Sequence, residues 1–115
     1  IRRFLPRTVR LELAREDLWQ QRERWVLKSD YGCEGEEVVI GRDVSAEVWR
    51  QCLDAAVPGR FVVQRWFEAL PSAGGELVNH GVYVIAGRAA GLYGRISRGA
   101  TDTAARSIPI LVEER

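Results

Sequence analysis

The chain of 115 residues is 46% hydrophobic and 29% charged, the balance of one small folded domain and not of a disordered segment. Its 17 basic and 16 acidic side chains leave a net charge of +1 and are interleaved along the chain, which gives no electrostatic footprint for nucleic acid. There is no apolar run of membrane-span length and no apolar signal core behind Arg2-Arg3, and two cysteines with a single histidine make neither a disulfide framework nor a zinc site.

These exclusions point to a cytoplasmic protein that needs no membrane. The absence of methionine and the start at Ile1 suggest a piece of a longer polypeptide. In chain order, Val9, Leu11 and Leu13 alternate with Arg10 and Glu12, which suits a short half-buried strand. Ala14 to Arg24 then reads as a polar helix with Leu18 and Trp19 as its apolar contacts; one continuous helix fits the same residues. Trp25-Val26-Leu27-Lys28 and Val38-Val39-Ile40 are short β-rich runs around a polar segment with Gly32 and Gly35, a hairpin with a long loop.

Ser45 is placed to cap a helix, and Glu47 sits in its first turn, where the dipole favours a carboxylate. Val48, Cys52 and Ala56 recur every four residues, flanked by Trp49 and Leu53, and define the expected apolar face. Pro58-Gly59 stops the helix. Arg60 to Phe67 reads as a strand and Pro71 to Gly75 as a loop. Gly81–Ala86 and Ala89–Ile96 read as two strands joined by the tight turn Ala86-Gly87-Arg88. A polar loop follows Ser97, and an apolar tail runs from Ile108 to Val112. The expected fold is a two-layer α+β unit: an antiparallel sheet with one main helix, then a β-hairpin.

The stretch from Trp25 to Gly41 carries the chemistry. A glycine lets backbone N–H groups approach phosphate oxygens, and a lysine ending the preceding strand adds a compact positive charge. The spacing is neither that of a P-loop nor that of a dinucleotide fingerprint. The same residues also suit an exposed hairpin with a snorkelling lysine. Glu34, Glu36 and Glu37 are awkward for a phosphate cradle, and either point outward or hold a cation.

Lys28 with its glycine loop, the helix, Phe61-Val62-Val63-Gln64-Arg65-Trp66-Phe67-Glu68-Ala69-Leu70-Pro71, and Gly81 to Ile96 with Ala-Gly-Leu and then Arg95 form an ordered series. That series resembles the C-terminal part of glutathionylspermidine synthase and its circularly permuted ATP-grasp relatives, over Trp25 to about Pro109. The resemblance implies three regions: a connecting segment at 1–24, a lid-like subdomain at 25–70 and part of the ligase core at 71–115.

It also implies a nucleotide-facing portion of an ATP-dependent carboxylate–amine ligase that acts through an acylphosphate and uses ATP and magnesium. Lys28 would contact the phosphates, and Gly32 and Gly35 would form the loop closing over them. Gln64 and the run Arg65, Trp66, Phe67 would line the adenine, and Glu68 would stand near the ribose. Arg95 would stabilise the transferred phosphoryl group. The magnesium ligands are expected outside this chain, in remaining domains of the same polypeptide, along with the sites for the acid and the amine, so the chain alone is expected to be inactive.

There are departures from the family pattern. Ser29 stands where a proline is frequent, and Ser97 stands near an expected glutamate. The late run keeps Thr101, Arg106 and Pro109 but not Thr103, Ala105 or Ile110, which leaves the substrates open. A relative that has lost catalysis and only binds a nucleotide or a protein, or a small β-rich interaction domain, remain the alternatives. Asn79 and His80 read as loop residues. Cys33 has acidic neighbours that disfavour its thiolate, and Cys52 reads as helix packing. Trp19, Trp25 and Trp49 read as core or interface anchors.

Overall fold

The computed structural model describes residues 5–14, 17–32, 37–99 and 104–112. They fall into two units, Ile1–Glu68 and Ala69–Arg115. The protein is α+β, with two antiparallel sheets and, among the described residues, one α-helix. No helix among them is long and apolar enough to cross a membrane.

The first unit holds strands β1 (Thr8–Arg10), β2 (Trp25–Ser29) and β3 (Val38–Ile40), helix α1 (Ala46–Ala55) and strand β4 (Phe61–Arg65). The sheet order is β1-β4-β2-β3, all antiparallel. Strand alternation then divides the side chains. Val9, Val63, Leu27, Val39, Trp25 and Phe61 share one face and pack with Trp49, Leu53 and Ala56 of the helical segment, together with Leu11 and Leu18. Thr8, Arg10, Val62, Gln64, Val26, Lys28, Val38 and Ile40 share the other, mixed face by the same register. Trp25, Trp49, Leu27 and Val63 are the largest fully buried side chains. Each contributes about 1.5–3 kcal/mol of burial free energy before entropy is set against it.

Ser45 caps α1: its Oγ accepts the Val48 N–H at 3.2 Å. The buried stripe is turned from the one expected. Trp49 and Leu53 are buried, Cys52 is half-buried, and Val48 is 43% exposed. The reason is Trp49, the bulkiest residue of the helix, whose indole N–H donates to the Leu18 carbonyl at 2.8 Å and so fixes the rotation.

The polar helix expected over Ala14–Arg24 does not form among the described residues. Asp17 Oδ1 accepts the N–H groups of Trp19 and Gln20 at 3.1 and 3.0 Å, closing a local turn. Such a side-chain bond competes with the helical ladder. What remains is this turn, closed also by the Gln21 N–H donating to the Asp17 carbonyl at 3.2 Å, and single 3-10 turns at Leu11–Leu13 and Arg22–Arg24. Arg22 then donates to the carbonyls of Gly41 and Val44 at 2.6 and 2.9 Å, tying this segment to the connection between β3 and α1. A Cβ at Gly41 would run into the Arg22 carbonyl, so only glycine permits that approach.

The second unit is a three-stranded sheet in the order β5-β6-β7, with β5 at Leu77–Ile85, β6 at Arg88–Ser97 and β7 at Arg106–Ile108. Ala86 and Gly87 both have positive φ, 49° and 77°, which makes the two-residue hairpin turn whose twist suits the strands. The hairpin is longer than the sequence suggests. Asn79 and His80 are strand residues opposite Arg95 and Gly94, not loop residues. A polar or turn-prone residue stays in a strand when the register on both sides supplies its backbone partners. At Gly81 the Tyr93 ring lies where a Cβ would stand. Part of the expected apolar tail, through Ile108, is the end of β7.

Candidate functional site

The mixed face of the first sheet carries Lys28 and Gln64, two of the residues singled out for nucleotide binding. Lys28 stands near the end of β2, which the following Ser29 completes, and Gln64 lies on neighbouring β4, diagonal to it because Gln64 pairs with Val26. The Lys28 ammonium donates to Gln64 Oε1 at 2.6 Å. The Gln64 amide in turn donates to Thr8 Oγ1 at 2.8 Å, and Thr8 donates to the Pro6 carbonyl at 3.1 Å. The result is a polar stripe crossing three strands. Burial lowers the Lys28 pKa from its ordinary value by disfavouring the charged form. An anion placed against it would reverse that penalty.

At the end of β4 the strand's hydrogen bonding continues through Trp66. The Arg65 N–H donates to the Arg7 carbonyl and the Trp66 N–H to the Arg24 carbonyl, both at 2.8 Å, so alternate amides point to opposite neighbours. The period of two therefore puts position 66 on the side of Gln64 and position 65 on the core side. Accordingly, the Arg65 guanidinium stacks on buried Trp25 at 5.0 Å, and only the Arg65 backbone belongs to the run expected to line a base. The indole nitrogens of Trp66 and Trp25 are buried and have no hydrogen-bond partner among the described residues. Phe67 and Glu68 are exposed. Along the strand, Lys28 lies three residues from the level of Arg65, roughly 10 Å, comparable with the reach from base to phosphates in an extended nucleotide.

The glycine loop is described at its ends only. Ser29 Oγ accepts the N–H groups of both Tyr31 and Gly32 at 3.1 Å, so the Gly32 amide is held by the strand's last residue in this structure. A Cβ at Gly32 would meet the Glu37 carboxylate at 2.9 Å. Cys33, Glu34, Gly35 and Glu36 lie outside the described residues, as do Thr101 and Thr103.

Three arginines that sequence reasoning passed over join the site. Arg10 falls on the mixed face in the row of Val62 and Lys28, and pairs with Asp30 at 3.4 Å. Arg60 pairs with the same carboxylate at 2.9 Å and stacks on Tyr31 at 5.1 Å. Arg42 lies over the Trp66 ring at 5.2 Å and pairs with Glu68 at 3.3 Å. No local signal marks these residues, because each depends on a pairing between segments far apart in sequence.

Arg95 belongs to the second unit, on β6 opposite Asn79 and Ser107. Its guanidinium donates to the Ala105 carbonyl at 3.2 Å, steadying the approach to β7. A cleft of about 570 Å³ in this unit is lined by Glu76, Ile96, Ser97, Arg98 and Arg106, among others. Arg106 pairs with Glu76 at 3.3 Å there. Arg95 alternates to the other face of the sheet from Ile96 and Arg106. Among the described residues no three His, Cys, Asp or Glu side chains gather as a metal site. Comparison of the chain with protein-family models, with curated proteins and with solved structures finds no match.

Proposed function

We propose that this chain is the nucleotide-facing portion of an ATP-dependent carboxylate–amine ligase of ATP-grasp type. The observation that carries the reading is the direct bond between the Lys28 ammonium and Gln64 on the mixed face, with the run Arg65 to Glu68 beginning at the next residue. In this reading Lys28 meets the phosphates, and the loop bearing Gly32 and Gly35 closes over them. Gln64 and the backbone of Arg65 to Phe67 address the base, Trp66 or Phe67 lies near its ring, and Glu68 leaves Arg42 for the ribose hydroxyls. Arg95 neutralises the charge on the phosphoryl group, for which its planar fork is suited. ATP, when bound, supplies the phosphoryl group that activates the acid. The reading assigns the magnesium ligands, and the acid and amine sites, to other parts of the polypeptide.

Calorimetric titration with ATP and with ADP, with and without magnesium, tests this. Binding is expected without turnover, and Lys28→Ala is expected to weaken it at least about tenfold, the worth of a charge-assisted hydrogen bond. Absence of nucleotide binding, or an affinity that Lys28→Ala leaves unchanged, refutes the proposal. Turnover of ATP by the chain alone refutes the assignment of the remaining machinery elsewhere.

A further inference from the structure

We propose that β5 is a self-pairing edge, through which two copies of this chain join their second-unit sheets into one continuous six-stranded antiparallel sheet. The inference is independent of the nucleotide reading and rests on the second unit alone.

A sheet edge presents unpaired N–H and C=O groups, and folded proteins protect such edges by shortness, charge, proline, a bulge or a cover. Three of the four edges here are protected by shortness: β1, β3 and β7 have three residues each. β5 has nine, Leu77-Val78-Asn79-His80-Gly81-Val82-Tyr83-Val84-Ile85. It contains no proline, lysine, arginine or carboxylate. The irregularity in the hairpin inserts its extra residue, Ala90, into β6 and leaves β5 unbulged. On its outer side among the described residues, Leu77 is bridged to Pro71 and no bridge reaches Val82 to Ile85. Val82, Tyr83, Val84 and Ile85 are 53–67% exposed, an apolar run on both faces of an open strand. Backbone edge geometry calls for another strand.

The sequence of β5 favours a second copy as that strand. Two antiparallel copies related by a two-fold axis normal to the sheet oppose residues of the same face, so their numbers sum to an even value. Centred on Tyr83, the axis sets Val82 against Val84 twice on one face and Tyr83 against Tyr83 on the other. It also sets Gly81 against Ile85, small against large. Tyr93 already covers Gly81 and lies 5.3 Å from Tyr83, so Ile85 of the second copy lands on an aromatic surface that is in place. The uncharged strand brings no like charges together. Centring on Val82 instead opposes Asn79 to Ile85 and His80 to Val84, polar against apolar, which selects the Tyr83 register.

Sedimentation velocity across a dilution series is expected to show a concentration-dependent shift from one chain to two. Val84→Lys, at an exposed position, is expected to abolish the dimer with an unchanged circular dichroism spectrum. In a background with Cys33→Ser and Cys52→Ser, Tyr83→Cys places two thiols directly opposite, at a Cα separation of roughly 5 Å, and is expected to oxidise to a covalent dimer. Asn79→Cys, whose copies would stand about 27 Å apart along the strands, is expected not to. A chain that stays monomeric at its highest soluble concentration overturns the proposal. So does a dimer insensitive to Val84→Lys, or equal cross-linking by the two cysteine variants. Protection of the β5 amides only when a different polypeptide is added assigns the edge to a foreign strand and overturns self-pairing.

Discussion

Replacing Lys28 with methionine separates a ligand-binding lysine from a structural one. The ammonium is half-buried, its pKa is lowered by that burial, and it donates to Gln64 Oε1 at 2.6 Å. A hydrogen bond from a charged donor is worth about 1.5–3 kcal/mol, but a partly wet position returns much of that to water. Gln64 keeps its bond to Thr8 in the variant. The methionine thioether meanwhile removes a desolvated charge and adds apolar area beside Val26, which is 5% exposed on the same face. These effects oppose one another, so the expected change in stability is within about 1 kcal/mol. Toward a polyphosphate nothing offsets the loss, and affinity is expected to fall by roughly tenfold to a hundredfold, about 1.5–3 kcal/mol. Urea unfolding followed by circular dichroism reads the first quantity and calorimetry with ATP the second. A stability loss above about 2 kcal/mol with nucleotide affinity intact would make Lys28 a structural residue and refute the reasoning.

Lys28 also sets a pH signature. Its folded pKa is below 10.5, so between that lowered value and 10.5 the unfolded chain binds more protons and stability rises with pH; the Lys28→Met variant is expected to lack this rise when wild type and variant are titrated side by side. Trp49→Phe leaves the buried Leu18 carbonyl without its 2.8 Å donor and opens a void, for an expected loss of about 2–4 kcal/mol by urea unfolding, whereas Trp19→Phe at an exposed site is expected to change stability by less than about 1 kcal/mol. Gly81→Ala drives a methyl group into the Tyr93 ring and is expected to destabilise the second unit by about 1–3 kcal/mol in thermal unfolding, while Gly91→Ala, whose methyl would meet Tyr83 at an ordinary 3.5 Å, is expected to be tolerated sterically.

Much of the fold was legible wherever the determinant is local. Ser45 caps the helix as its residue type requires, and Ala86-Gly87 supplies the two positive-φ residues of the hairpin turn. The strands at Trp25–Ser29 and Val38–Ile40 follow their apolar runs. What was not legible depends on distant partners. The pairing of Thr8 with Gln64 joins residues 56 positions apart, and no pattern within either segment announces it. Trp49 turns the helix face because Leu18 offers it a carbonyl, and Asp17 breaks the expected polar helix by bonding two amides that the helix would need elsewhere. In the candidate site, Lys28 stands out from its own strand and loop. Its bond to Gln64, and the nearby Arg10, Arg42 and Arg60, follow only from strand register and the return of the chain.

The two faces of the first sheet divide folding from chemistry. The helix-side face is apolar and closed by Trp49, Leu53 and Leu18, and its burial free energy does not depend on what lies on the other side. The mixed face holds a lysine against its solvation preference and a buried indole N–H that meets no acceptor among the described residues. Both features are unfavourable in the isolated protein, and replacing either with an apolar residue of similar shape would relieve them. For the desolvated cation, the proposed reading supplies a remedy, an anionic ligand against the sheet face. A nucleotide's phosphates would meet Lys28 in that reading, with its base about 10 Å away at the level of Arg65. On the proposed reading, ligand binding, and not folding, is the physical reason for the polar stripe.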